Sequence, residues 1–313
     1  MTIKTLTTNL DLDQAVVLLK AGRLVAFPTE TVYGLGANAL DAGAVRRVYE
    51  AKGRPSTSPL IVHVSSVAMA RRVVAEWPEA ADKLAARYWP GPLTLVLPKA
   101  KRVPNEVTAG LGTVGVRMPA HPVALALIRK SRLPLAGPSA NRFTELSPVT
   151  AEQVRKGLGP AVDMVLDGGP CRVGIESTVL SLVGGRAVLL RPGMVSREQI
   201  EALIGPVELA GAVVDGEAHA APGQHSKHYS PKARLRLGIP EEAKGSAYLW
   251  WAVAREAEFS VRMPKDPDRY GAMLYDTLHR ADSLGVREIV VEPVPLGGDW
   301  DGIRDRLARA AVE

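Results

Sequence analysis

Apolar residues along the first two-thirds of the chain switch between helical and extended spacing. Leu12, Val16 and Leu19 share one helical face, which predicts a helix capped by Asp11 and closed by Gly22. The short apolar run LVAF (24–27) reads as a strand, and Val45, Val48 and Tyr49 mark a second helix opened by Asp41 and ended by Gly53. Strands are predicted at LIVHV (60–64), LTLVL (93–97) and VGVRM (114–118), with helical stretches around 66–75 and 79–88. His121-Pro122 opens another helix, with proline in its favoured first turn. PLAGP, a helix from Thr150, DMVLDGG, STVLSLV, RAVLLRPG and a helix over 196–204 complete the block. Strands with helices interspersed predict an α/β domain over residues 1–205.

The rhythm breaks over 206–233, a run rich in Gly, Ala, Pro and His that reads as a long linker. After it, LRLGI, AYLWWAV, a helix from Asp268 to Leu284, REIVVEP and a final helix from Trp300 predict a smaller α/β unit over 234–313. A length of 313 residues accords with two domains. The chain is 46% hydrophobic and 23% charged, enough apolar material for a core, and its net charge of +6 suits anionic small molecules or RNA as readily as a solvated basic surface. The lone Cys171 excludes a disulfide framework and a cysteine zinc site and fits a reducing cytosol. With no signal peptide and no apolar run of ~18 residues, a cytoplasmic protein with no membrane partner is expected.

The chemistry is less obvious. PTETVYGLG (28–36) reads as a polar loop after a strand, with no nucleophile–base pair. The chain has no GxxxxGK[ST], GxGxxG or GxSxG motif. His225 and His228 lie three apart without a third ligand at metal spacing, and His63 on its apolar strand reads as half-buried. What remains is a set of polar residues at element ends. Lys52 and Arg54 in KGRP could bind a helix C-terminus or clamp a phosphate. Arg117 in VGVRMP and Arg191 in VLLRPG sit in strands, where an inward cation needs an anionic partner. Four cations arriving from separate elements point to one site that takes several negative charges. Ser139 and Asn141 in GPSAN, and Glu176 and Ser177 in GIESTV, occupy similar positions and read either as turn residues or as contacts to a polyphosphate or base.

PTETVYGLG, KGRPSTSPLIVHV, WPGPLTLVL, GVRMPAHP, GPSAN, GIESTV and LLRPG, in this order, resemble the YrdC/TsaC family of threonylcarbamoyl-AMP synthases. The tail resembles the longer members, whose linker ends in an HYxP-like element, here HYSP (228–231). The resemblance implies a YrdC-like α/β twisted mixed sheet with helices around a large, positively charged cavity, plus a smaller Rossmann-like α/β C-terminal domain. It implies a nucleotidyltransferase that makes L-threonylcarbamoyl-AMP, pyrophosphate and water from L-threonine, bicarbonate and ATP, the first step toward N6-threonylcarbamoyladenosine at position 37 of tRNA. Downstream threonylcarbamoyl-transfer machinery and a tRNA contact are the implied partners.

Residue by residue, the resemblance assigns catalysis and phosphate binding to Lys52, Arg54, Ser139 and Asn141. It adds Ser58, Thr113, Ser147, Arg191 and Tyr229 to the ATP site, and gives Thr31, His63, Arg117 and Ser177 to threonine. Mg²⁺ is expected to travel with ATP rather than in a protein cage. Thr144 stands where the family often has glycine, which puts the path of loop 142–148 in question. A linker over 206–233 that closes over the cavity is expected. Two competing readings are weaker. A non-catalytic RNA-binding module fits the charge, but only 5% of residues are aromatic. A hydrogenase-maturation carbamoyl enzyme would carry zinc-finger and acylphosphatase-like segments that this sequence lacks.

Overall fold

The computed structural model describes residues 8–211, 228–241 and 243–312. In chain order the first unit comprises α1 (Asn9–Lys20), β1 (Val25–Phe27), β2 (Gly34–Asn38), α2 (Ala42–Lys52), β3 (Ile61–His63), α3 (Val67–Ala70), α4 (Glu79–Tyr88) and β4 (Leu93–Pro98). It continues through α5 (Asn105–Thr108), β5 (Thr113–Arg117), α6 (Pro122–Ser131), β6 (Leu135–Ala136), α7 (Ala151–Leu158), β7 (Met164–Val165), β8 (Thr178–Ser181), β9 (Val188–Arg191), α8 (Arg197–Ile204) and β10 (Glu208–Leu209). Its strands form one mixed sheet in the order β10-β9-β8-β4-β5-β3-β6-β2-β1-β7. The second unit comprises β11 (Arg234–Leu237), β12 (Ala243–Trp250), β13 (Ala257–Arg262), α9 (Pro267–Ser283), β14 (Glu288–Val291) and α10 (Asp301–Ala310). Its sheet is all parallel, in the order β11-β14-β12-β13.

Helix boundaries follow side-chain capping. Asp41 accepts from Gly43 N and Ala44 N at the start of α2, and Gly53 ends that helix at φ +61°. Thr150 and Ser196 form capping boxes with Gln153 and Gln199. The first helix starts earlier than its apolar pattern suggests. Thr8 is its N-cap, and Asp11 is the third helical residue, reaching back to the Thr8 backbone.

The last third of PTETVYGLG proves to be strand. Phe27 pairs with Gly34 and Val25 with Gly36, so residues 28–33 are the connection of an antiparallel hairpin. The glycines matter for space: a Cβ on Gly36 would lie 2.8 Å from the Phe27 ring and 2.9 Å from Val25 O. The expected linker is likewise shorter among the described residues. Residues 208–209 extend the first sheet beside β9, and His228 and Tyr229 are buried. His225 and the rest of 212–227 lie outside the described residues.

The two sheets share a core. One apolar cluster runs from Leu95, Ile175 and Val195 of the first unit to Tyr275, Ile303 and Leu307 of the second. At the seam, backbone meets backbone. A Cβ on Gly174 would lie 2.2 Å from Gly271 O in α9, and one on Gly302 in α10 would lie 2.8 Å from Gly193.

Thr144 adopts φ +69° without being glycine, so loop 142–148 keeps a left-handed turn despite its β-branched residue. Its carbonyl accepts from Ser230 N at 2.9 Å, which ties the turn to the HYSP segment. Replacing Thr144 by Gly relieves ~1–2 kcal/mol of left-handed strain and adds ~0.5–1 kcal/mol of backbone entropy cost. Thr144→Gly should therefore raise stability by roughly 0.5–1 kcal/mol in urea unfolding; an unchanged or lower midpoint would show the turn is unstrained.

Candidate active site

A cleft with about 500 Å³ of space, part of it open to solvent, lies where the 28–33 connection meets the ends of β3, β5 and β9. Its wall includes Thr29, Thr31 and Val32 from the hairpin, His63 and Arg117 from the last positions of β3 and β5, Ser139, Glu176, Ser177, Arg191 and, from the HYSP segment, His228 and Tyr229. His63 and Arg117 are register partners in adjacent parallel strands, so the sheet itself sets their spacing. A roomier cleft lies between residues 141–150, α7, residues 230–232 and α9, but its rim mixes acidic and basic side chains. Three buried guanidinium groups converge only on the first of these two clefts.

At one end, Arg117 is 3% exposed. Its Nε donates to Gly91 O at 3.1 Å, Nη1 to Thr31 Oγ1 at 2.9 Å and Nη2 to Glu30 Oε1 at 2.6 Å. The other Glu30 oxygen accepts from Ala120 N at 2.9 Å. Glu30, whose role the sequence does not reveal, is thus the counter-ion that allows a cation at the end of β5; breaking such a buried pair costs ~3–5 kcal/mol. Three of the five Arg117 N–H groups are engaged in these bonds and two are not. Thr29 orders the connection by donating to Val32 O at 2.6 Å and accepting from Thr31 N and Val32 N at 3.2 Å each. His63 is buried, and its Nδ1 has no hydrogen-bond partner among the described residues. Burial and the neighbouring Arg117 push its pKa down to about 3.

At the other end, Arg54 donates through Nε and Nη2 to Ser58 O, Ser58 Oγ and Pro59 O, and its guanidinium lies 5.7 Å from the Phe143 ring. Its Nη1 makes no protein hydrogen bond among the described residues, and burial brings its pKa down to about 10. Arg191 donates to Ser177 O at 3.1 and 2.9 Å and fixes that peptide on the wall, while Ser177 Oγ pairs with Thr94 Oγ1 at 2.8 Å. Tyr229 sits at φ +61° and is buried, and its hydroxyl has no hydrogen-bond partner among the described residues.

Eight of the residues singled out in the sequence meet at this cleft: Thr31, Arg54, His63, Arg117, Ser139, Ser177, Arg191 and Tyr229. Five do not line it. Lys52 lies behind the 139–141 loop, with Nζ bonded to Ser139 O and Asn141 O at 2.5 Å each and to Asn141 Oδ1 at 3.5 Å. All three ammonium protons are spent on the chain, and burial, with Arg54 beside it, holds the Lys52 pKa well below that of a free lysine. Asn141 turns its amide to Arg142 O and Glu145 O. Ser58 is the acceptor for Arg54, Ser147 donates to Glu176 Oε1 at 2.5 Å, and Thr113 pairs with Pro98 at the far end of β5. In this conformation Lys52, Ser58 and Ser147 bond to wall residues from behind, Asn141 turns away, and Thr113 lies remote from the cleft.

Glu176, which GIESTV singled out without the resemblance giving it a role, also stands on the wall, and sequence reasoning did not reveal what holds its carboxylate. Nor did it find Arg306 and Tyr275 of the second unit, which both bond to Glu176 Oε2. An arginine in DGIRDRLARA looks like any solvated helix charge, and only tertiary packing distinguishes it. Among the described residues, no three or more His, Cys, Asp or Glu side chains are grouped to hold a metal ion. No helix among them is long and apolar enough to cross a membrane.

Comparison with known proteins covers almost the whole chain. The family model for Sua5, YciO and YrdC proteins, described as "Telomere recombination", matches residues 17–193, and one described as "Threonylcarbamoyl-AMP synthase, C-terminal domain" matches 195–312. The threonylcarbamoyl-AMP synthase of Bacillus subtilis is 43% identical, over 97% of this chain and 94% of its own length. That of Pyrococcus abyssi is 49% identical, over 95% and 93%. The crystal structure of P. abyssi Sua5 complexed with L-threonine superposes with a TM-score of 0.90, covering 97% of this chain and 95% of that one, at 38% identity over the superposed positions.

The low pKa of His63 gives stability a pH dependence of definite sign. Between pH 6.5 and about 3 the unfolded chain takes a proton on this ring that the folded chain refuses, so stability is full above 6.5 and falls as the solution is acidified. Urea unfolding of the wild type should lose roughly 2 kcal/mol more between pH 7 and pH 5 than His63→Asn does. Equal losses in the two proteins would show that the ring protonates in the folded state.

Proposed function

The chain belongs to the Sua5–YciO–YrdC family, in the two-domain form of the threonylcarbamoyl-AMP synthases, and on that premise we propose that its cleft converts L-threonine, bicarbonate and ATP to L-threonylcarbamoyl-AMP, pyrophosphate and water. The observation that carries the assignment is the convergence of Arg54, Arg117 and Arg191 on one cavity beside polar groups from five separate segments. Carbamate formation and adenylyl transfer both use nucleophiles that the substrates bring. The threonine amine attacks the bicarbonate carbon and water leaves; a carbamate oxygen then attacks the α-phosphorus of ATP and pyrophosphate departs. What such a sequence asks of a protein is alignment and stabilisation of negative charge.

Threonine fits the end where Arg117 keeps two N–H groups for a carboxylate beside Thr31, His63 and Ser177. The triphosphate fits the end where Arg54 presents Nη1 near Ser139 and Arg191, with Tyr229 as the adjoining wall. Lys52 acts from behind by holding the carbonyls of Ser139 and Asn141. Mg²⁺ arrives on the phosphates as part of the nucleotide substrate. The adenylate passes to a threonylcarbamoyl-transfer system acting on tRNA, in the cytoplasm. The L-threonine in the P. abyssi complex favours this reading over an RNA-binding module.

Purified protein given MgATP, L-threonine and bicarbonate should release pyrophosphate, and omission of any one substrate should return the signal to background. Arg54→Ala should lower kcat/KM by at least about 100-fold, the scale seen when a donor to developing charge is removed. Full activity in a folded Arg54→Ala protein would remove this arginine from the phosphate site.

A further inference from the structure

The second unit reaches the cleft without lining it through its own helices. Glu176 is a wall residue only 7% exposed, and its carboxylate is bound almost entirely by groups from elsewhere. Ser147 donates to Oε1 at 2.5 Å, while Tyr275 of α9 and Arg306 Nε of α10 donate to Oε2 at 3.0 and 2.8 Å. Arg306 also takes the Glu176 backbone carbonyl through Nη2 at 3.1 Å and, through Nη1, the Pro192 carbonyl at 3.0 Å and Asp305 Oδ2 at 2.6 Å, an acid whose other oxygen is held by Arg309 at 2.9 Å. Its guanidinium stands 5.2 Å from the centre of the Tyr229 ring. One side chain of the second unit therefore touches three stretches that build the cleft: 176–177, the turn after β9, and HYSP. The glycine contacts at Gly174–Gly271 and Gly193–Gly302 set α9 and α10 close enough for this reach.

A carboxylate on the wall of a site for a polyphosphate is a liability unless it is neutralised. We propose that Arg306 is a positioning residue for the nucleotide site: acting across the seam, it cancels the charge of Glu176 and fixes the Glu176 carbonyl, one peptide before the Ser177 carbonyl that Arg191 holds. This assigns the second unit a part in ATP binding, and it rests on the cleft being the ATP site. Burial alone would push the Glu176 carboxyl up, but Arg306 and Arg191, with the Ser147 hydroxyl, more than offset it and keep it ionised. Removing Arg306 alone would leave that charge facing the phosphates; removing both partners would not.

The test is ATP affinity by titration calorimetry on the full chain. Arg306→Met should weaken ATP by about tenfold or more, as expected for a unit charge within several ångströms in a partly screened site. The double variant Arg306→Met/Glu176→Gln should return to within about threefold of wild type, since a neutral pair of similar shape replaces the ionic one. A double variant as weak as Arg306→Met, or an Arg306→Met protein that binds ATP like wild type, overturns the proposal. Should the single variant not fold, the double variant decides: folded and within about threefold supports it, folded and tenfold weaker overturns it. Wild-type protein that binds no ATP would instead overturn the reading of the cleft and this inference together.

Discussion

An arginine or lysine taken out of water must find acceptors within the chain, and that requirement organises this molecule. Lys52, Arg54, Arg117, Arg191 and Arg306 are each 7% exposed or less. Most of what they bind is backbone carbonyl: Ser139 and Asn141 for Lys52, Ser58 and Pro59 for Arg54, Gly91 for Arg117, Ser177 for Arg191, Glu176 and Pro192 for Arg306. These bonds pin connecting segments outside the regular strands and helices, in some cases beside a strand's own backbone bonds, as at Ser139. The cations are thus scaffold first, and those with N–H groups to spare, Arg54 and Arg117, present them to the cleft. A site built this way is ordered in advance of its ligands, which suits a reaction whose nucleophiles come with the substrates.

Much of the architecture was legible because local and tertiary requirements agree. Asp41, Thr150 and Ser196 cap helices that their apolar spacing already marked, and LTLVL and VGVRM became adjacent central strands. Of the elements that escaped notice, β13 (AEFSVR) does alternate apolar and polar residues, whereas β2 has no apolar signature. Residues 34–36 are Gly-Leu-Gly, so β2 shows no alternation, and it exists because Phe27 packs its ring where two side chains would otherwise stand. Strand β13 lies at the sheet edge with every second residue exposed, and only one of its neighbours is a strand.

The site was legible to a different degree. The spacing of KGRP, SAN, GIESTV and LLRPG carries the family pattern, and eight of the singled-out residues share one cleft. Which of two neighbouring cations faces inward is another matter. Lys52 and Arg54 lie two residues apart on either side of a helix end, and the left-handed Gly53 between them turns one behind the loop and the other toward the cavity. That choice depends on where the carbonyls of Ser139 and Asn141 arrive, some 90 residues on, and no local pattern encodes it.

The glycine seam bears on how the molecule comes apart. Where Gly174 meets Gly271 and Gly193 meets Gly302, main chain rests on main chain, with the Met194 side chain beside Gly271. Separation there is close to all-or-none, and it would strand Glu176 and Arg306 at once while opening the shared apolar cluster to water. Two sheets that look independent on a topology diagram are in that sense one thermodynamic unit, with a single cooperative melting transition as its signature.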